Sequence, residues 1–208
     1  MFSNLKLQTI NLLDQTPCHV NQSKRMMAYL IDWFVGALCM MLPLCLGWMF
    51  LTHDQESMTQ VNVFRLAEAS DMRTALILGG LGLLMACFYY IWVPYKIYPG
   101  QTVGKKTMGI QIEKTDGSNL RFKDLLIRQG LGLLILEGVL FNPSRLWQDM
   151  LCLASGLNFS GYLLYLGIAI TLVSGLMALC APSKRMLHDY LAGTIEKEVA
   201  LKGRDQSI

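Results

Sequence analysis

Apolar positions in this chain are gathered into long blocks separated by short polar stretches. The first block covers residues 26–51 and opens MMAYLIDWFV. At about 1.5 Å per residue it would reach roughly 38 Å, enough to cross a bilayer with some tilt. Pro43 predicts a kink in it. A second block, 74–95, holds no charge. Gly79, Gly82 and Ala86 give it a side of small residues suited to close helix packing in lipid, and Tyr89, Tyr90, Trp92, Tyr95 and Tyr98 crowd its far end as an interfacial aromatic belt. A third block, 125–141, has Arg128 near its start and Glu137 near its end, and Asn142-Pro143 stops it. The fourth, 159–181, carries Gly167, Thr171 and Gly175 as another packing face.

The polar stretches place these blocks in order. Residues 52–73 read as an external loop with a helical turn or two at VFRLAEA, and the stretch before the fourth block as an outer loop. In the insert 94–128, Tyr98-Pro99-Gly100 starts a turn and Met108, Ile110 and Ile112 alternate with polar residues. Asp116-Gly117 is a hairpin-turn signal, and a second strand is expected at 119–122. The pattern predicts an all-α membrane protein: four transmembrane helices with a short cytoplasmic β-hairpin-like insert between the second and third. Residues 1–24 form a polar lead-in with a short surface helix over 4–13, residues 25–200 the transmembrane domain, and 201–208 a tail.

Composition agrees. Of 208 residues, 53% are hydrophobic and only 16% charged, against about a quarter charged in soluble domains. The net charge of +3 gives no footprint for nucleic acid. Its distribution is more telling. Three Lys and Arg precede or open the first block, seven lie between the second and third, and five follow the fourth, so fifteen of 18 fall on one side of a four-span chain. The positive-inside rule then makes both termini and the insert cytoplasmic, in a multi-pass protein of the bacterial cytoplasmic membrane. No cleaved signal peptide is evident. The six cysteines form no C-x-x-C pair and read as reduced, packed thiols.

Chemistry centres on Asp32. Arg25 and Asp32 are seven positions apart, on one helix face and about 10 Å apart along the axis. Arg25 can snorkel, but Asp32 lies deeper and needs a partner, a water-filled cavity or a proton. Arg25, Arg128, Lys184 and Arg185 are the candidate partners. Either the group is a charge cluster that fixes helix packing, or it is an ion or proton site. Glu137 is a second intramembrane carboxylate, nearer the outer end of its helix, where it caps that end or meets external water. GQTVGKKT, starting at Gly100, departs from a phosphate loop in glycine spacing and in the residue after Gly-Lys. His188-Asp189 lacks the further ligands of a metal site. No nucleophile–base arrangement stands out, so no enzyme activity, cofactor or metal is expected. The basic insert, with Lys96, Lys105, Lys106 and Lys114, suits anionic lipid headgroups.

Four motifs, in order, resemble the RDD family of bacterial membrane proteins. They are Arg25 and Asp32 in RMMAYLID; PGQTVGKKTMGIQI from Pro99; DGSNLRFKDLLIRQ from Asp116, which puts Arg128 at the family's arginine; and KRMLHDYLAGTIEKEV from Lys184. The resemblance covers roughly residues 20–200 and departs from the family at Val103, where proline is common. It implies that Asp189 is the second aspartate, completing a cluster of Arg25, Asp32, Arg128 and Asp189. Some relatives look like cation/proton antiporters and others like accessory parts of larger complexes. The expectation is therefore a transport-related role, with monovalent cation/proton exchange at Asp32. The alternative is a scaffold or accessory subunit. Four short spans enclose little space alone, so a homo-oligomer or hetero-complex is expected.

Overall fold

The computed structural model describes residues 18–137 and 142–199. The helix expected over 4–13 and the tail 201–208 lie outside them.

Helix α1, Gln22–Thr52, is 31 residues long. The Asn21 side chain caps it by accepting from the Ser23 N–H, as a short polar side chain does for the free N–H groups of a first turn. It runs on through Pro43 and ends at His53, whose left-handed backbone (φ 56) returns its N–H to the Met49 carbonyl. Its buried residues are Ala28, Asp32, Gly36, Met40, Leu44 and Trp48, one in every four. That is one ridge of the helix surface, the kind that packs into a neighbour's groove. Phe34, Leu38, Leu42, Leu46 and Phe50 point outward, as lipid-facing residues do.

The expected helical turns at 63–69 form α2, Val63–Ala69. Helix α3, Met72–Cys87, is capped by Asp71 and continues as a π-helical stretch, Phe88–Ile97. Its small residues Ala75, Gly79, Gly82 and Ala86 are all buried. A methyl on Gly82 would come within 2.8 Å of the Met40 carbonyl of α1, so glycine sets the approach of the two helices. Helix α4, Val103–Thr107, follows a turn through Gly100 (φ 72).

Among the described residues, three helices are long and apolar enough to cross a membrane: Gln22–Thr52, Met72–Ile97 and Ser160–Cys180, the last being α7. The stretch expected as another span, 125–141, is not one of them. There, α5, Phe122–Leu125, passes into a π-helical segment, Leu126–Leu136, that Glu137 closes. Residues 138–141 lie outside the described set, and α6, Asn142–Ser155, begins directly after them. Asn142-Pro143, expected to stop a helix, starts one, in keeping with proline's place in a first turn. Leu146 and Met150 of α6 reach over Gly82 and Gly79 of α3.

The expected hairpin takes a different form. Gly117 (φ 74) makes its turn, but β1, Ile110–Lys114, pairs antiparallel with β2, Thr194–Glu198, placing Ile112 opposite Glu196. Two strands alone are marginal in water. This pair is fixed by Ile110 and Ile112, both buried, the first against Val20 and Ala28 and the second against Ile91 and Leu125. The larger core lies between α1, α2, α3 and α6, around Leu44, Val63, Leu66 and Leu146. Short α8, Leu187–Ala192, lies against the π-helical segment that carries Arg128.

Candidate functional site

Among the described residues, buried polar groups gather in three adjoining centres. The first surrounds Asp32, which is 5% exposed. Its Oδ1 accepts from the Tyr89 hydroxyl at 2.7 Å and the Gly104 N–H at 2.8 Å, and its Oδ2 from the Thr102 hydroxyl. Tyr90 donates to its backbone carbonyl at 2.7 Å, and the rings of Tyr89 and Tyr90 meet edge to face. The π-helical winding of α3 puts these consecutive tyrosines on one residue. Thr102 is also the N-cap of α4. A methyl on Gly104 would sit 2.2 Å from the Ala28 carbonyl and 2.8 Å from Asp32 Oδ1. The segment GQTVGKKT is thus a plug: Thr102 and Gly104 press a short helix onto the carboxylate in α1. Of the cationic partners expected for Asp32, Arg25, Arg128 and Arg185 are engaged elsewhere, and neutral donors fill its shell.

The second centre binds the sheet to the bundle. Glu196 accepts from Arg25 Nε at 2.7 Å and pairs with Lys105 at 3.1 Å and Arg128 at 3.2 Å. Arg25 also reaches the Lys184 carbonyl at 2.6 Å. Arg128, 2% exposed, pairs with Asp189 at 2.8 Å. Asp189 further accepts from the Thr194 hydroxyl and the Met186 N–H. Arg185 bonds the Asp189 carbonyl and lies over the Tyr190 ring. Burial opposes ionisation of Glu196, but Lys105, Arg25 and Arg128 outweigh it and hold its carboxyl below the usual carboxylate range. Burial likewise works against the Asp189 carboxylate, and Arg128 with His188 brings the net shift downward.

The third centre is Glu137. It is buried, and while its backbone closes its own helix its carboxylate meets the first turn of α8. Its Oε1 accepts from the Ser174 hydroxyl and the His188 N–H, each at 2.8 Å, and Oε2 lies 2.7 Å from His188 Nδ1. Thr171 of α7 donates to its carbonyl.

Of the four clustered residues expected from the sequence, Arg25, Arg128 and Asp189 are linked, through Glu196, and Asp32 has a separate shell. Sequence reasoning passed over Glu196, Thr102, Gly104, Tyr89 and His188 as partners. The one available signal was the close packing of Gly, Thr and Gly in 100–104, which a phosphate loop did not explain. Among the described residues, no three His, Cys, Asp or Glu side chains gather to hold a metal ion. The cysteines are free thiols.

Apolar spanning helices with an internally paired polar clasp at one end define a helical membrane protein. The family model for the RDD family matches residues 20–193. The chain belongs to that family, whose members are membrane-associated bacterial proteins. No curated protein and no solved structure matches it.

Proposed function

We propose that this protein is an assembly component of the bacterial cytoplasmic membrane: a rigid accessory subunit that offers a helix to other membrane helices. The observation that carries this reading is α7. Only 11% of its most apolar stretch is buried. Thr171 and Ser174 tie it to Glu137, and a methyl on Gly161 or Gly175 would meet only open space. A spanning helix held so lightly by its own bundle is completed by a neighbour, through the close contacts that small residues permit.

The topology belongs to the same reading. The start of α1, the end of α3 and the end of α7 meet at the sheet, through Arg25, β1 and β2. The chain then crosses the membrane between α3 and α7 as a broken helix, Leu126–Leu136 and Asn142–Ser155. That gives four crossings, with both termini and the sheet in the cytoplasm by the distribution of Lys and Arg.

The test is recovery from native membrane. A stoichiometric companion, or a second copy, is expected, and Gly175→Leu should release it while the isolated protein keeps its melting temperature. Recovery of a lone monomer would overturn the reading. The second reading, monovalent cation/proton exchange at Asp32, is favoured by the burial of that carboxylate in a spanning helix. It requires Asp32→Asn to abolish ion-driven proton flux in vesicles without altering complex recovery.

A further inference from the structure

We propose that Glu137 and His188 form a proton-exchange site inside the membrane, with Asp189 as its fixed counter-charge. This goes beyond the assembly role and does not rest on it.

The two carboxylate oxygens of Glu137 divide their labour. Oε1 takes both structural donors, the Ser174 hydroxyl and the His188 N–H. Oε2 is left for the imidazole, 2.7 Å from Nδ1. The other ring nitrogen, Nε2, is 3.6 Å from Asp189 Oδ2. An imidazole between two buried carboxylates is more than a helix tie requires, because the backbone N–H already makes that tie.

The pair shares one proton. In one state Glu137 is a carboxylate and His188 an imidazolium. In the other, the Nδ1–H bond has broken, its electron pair stays on Nδ1, an O–H bond has formed at Oε2, and both groups are neutral. Low dielectric penalises separated charge and so brings the two states close together. The charged groups beside the pair are Arg128, from the helix of Glu137, and Asp189, from α8, with Arg185 and Glu196 one step further out on Asp189 and Arg128. From α7 come only the hydroxyls of Ser174 and Thr171. Asp189 and Glu196 are already matched by Arg128, Arg25 and Lys105, so the mobile charge is confined to the pair.

Position suits exchange. Ser174 lies six residues before the end of α7 at Cys180, so Glu137 sits about 9 Å inside that end. The side chains of His188 and Glu137 are both buried, at 8% and 4% exposure, so a proton exchanged here is held away from bulk water.

The experiment uses the full chain in nanodiscs with 15N-labelled histidine. His188→Gln assigns the His188 signals against those of His19 and His53. The expected result is that raising the pH removes the shared proton, one per chain, leaving a Glu137 carboxylate beside a neutral His188, so that the His188 ring nitrogens and the Glu137 carboxyl infrared band report the same step, and that Glu137→Gln abolishes the joint step. A single fixed tautomer throughout the pH range, or a His188 step indifferent to Glu137→Gln, would overturn the proposal. The first of these readouts is also available from a protein carrying His19→Gln and His53→Gln, in which His188 is the one histidine left, so a site variant that fails to fold leaves a decision available. Recovery of the companion from native membrane should be the same at each pH, which keeps this test separate from that of the assembly role.

Discussion

Asp32 and Glu196 are both buried carboxylates at the same end of the bundle, and they are served in opposite ways. Asp32, within a spanning helix, is met by two hydroxyls and a backbone N–H. Glu196, on a strand at the helix ends, is met by three cations. The contrast follows from what each element can bring. Bare cations are costly within the apolar depth of a membrane, whereas tyrosine, threonine and a peptide N–H add no charge there. Cations at the helix ends can reach Glu196 along apolar stems. The deep site is therefore a matter of shape, and the shallow one a matter of charge balance.

Breaking the charge balance should cost most. Glu196→Gln strands Arg25, Lys105 and Arg128 around a neutral side chain. A loss of about 3–5 kcal/mol is expected, as for removal of one partner from a buried ion pair, read as a fall in melting temperature in detergent. The pH dependence has a definite sign. Because Glu196 and Asp189 have lowered folded values, their contribution is fully present above the unfolded carboxylate value of about 4. It is lost as pH falls below that toward the folded values. Melting temperature should hold from neutral pH to near 5 and decline below 4, and Glu196→Gln should flatten the decline.

Breaking shape comes next. Gly104→Ala drives a methyl into the Ala28 carbonyl, and about 3 kcal/mol is expected for forced overpacking. Gly80→Ala, where a methyl meets nothing within 4 Å, is the control and should change melting by under about 1 kcal/mol in either direction. Thr102→Val keeps the shape but removes one donor from Asp32, for about 1–3 kcal/mol. A loss from Thr102→Val equal to that of Glu196→Gln would erase the distinction between the two sites. Smallest is Lys24→Ala. Its pair with Glu198 is nearly half exposed on both sides, and under about 1 kcal/mol is expected, shrinking further in salt.

The sequence made the apolar architecture legible because long blocks carry their own signal. The blocks at 26–51, 74–95 and 159–181 differ from Gln22–Thr52, Met72–Ile97 and Ser160–Cys180 by a few residues at each end. The block at 125–141 was harder, since Arg128, Glu137 and Asn142-Pro143 marked where the helix is interrupted and not what interrupts it. Asp116-Gly117 was a true turn signal, yet it could not say which strand would pair with β1. That partner is some 80 positions further on, where the strand supplies Glu196 to the waiting cations. Arg25, Arg128 and Asp189 stood out because charge in an apolar setting is conspicuous. Tyr89, Thr102 and Gly104 did not, because neutral donors look like any belt residue or turn.

The pairing of β1 with β2 also bears on synthesis. Arg25, Lys105 and Arg128 leave the ribosome long before Glu196, and each spanning helix is complete before β2 exists. Closure of the clasp is a late, long-range event, the kind of contact that slows folding. A chain cut after Gly193 would leave Arg25 and Lys105 without Glu196, and Arg128 with Asp189 alone. Glu196 is thus the last of the clasp's charges to be made, and the clasp closes only in a molecule translated through it.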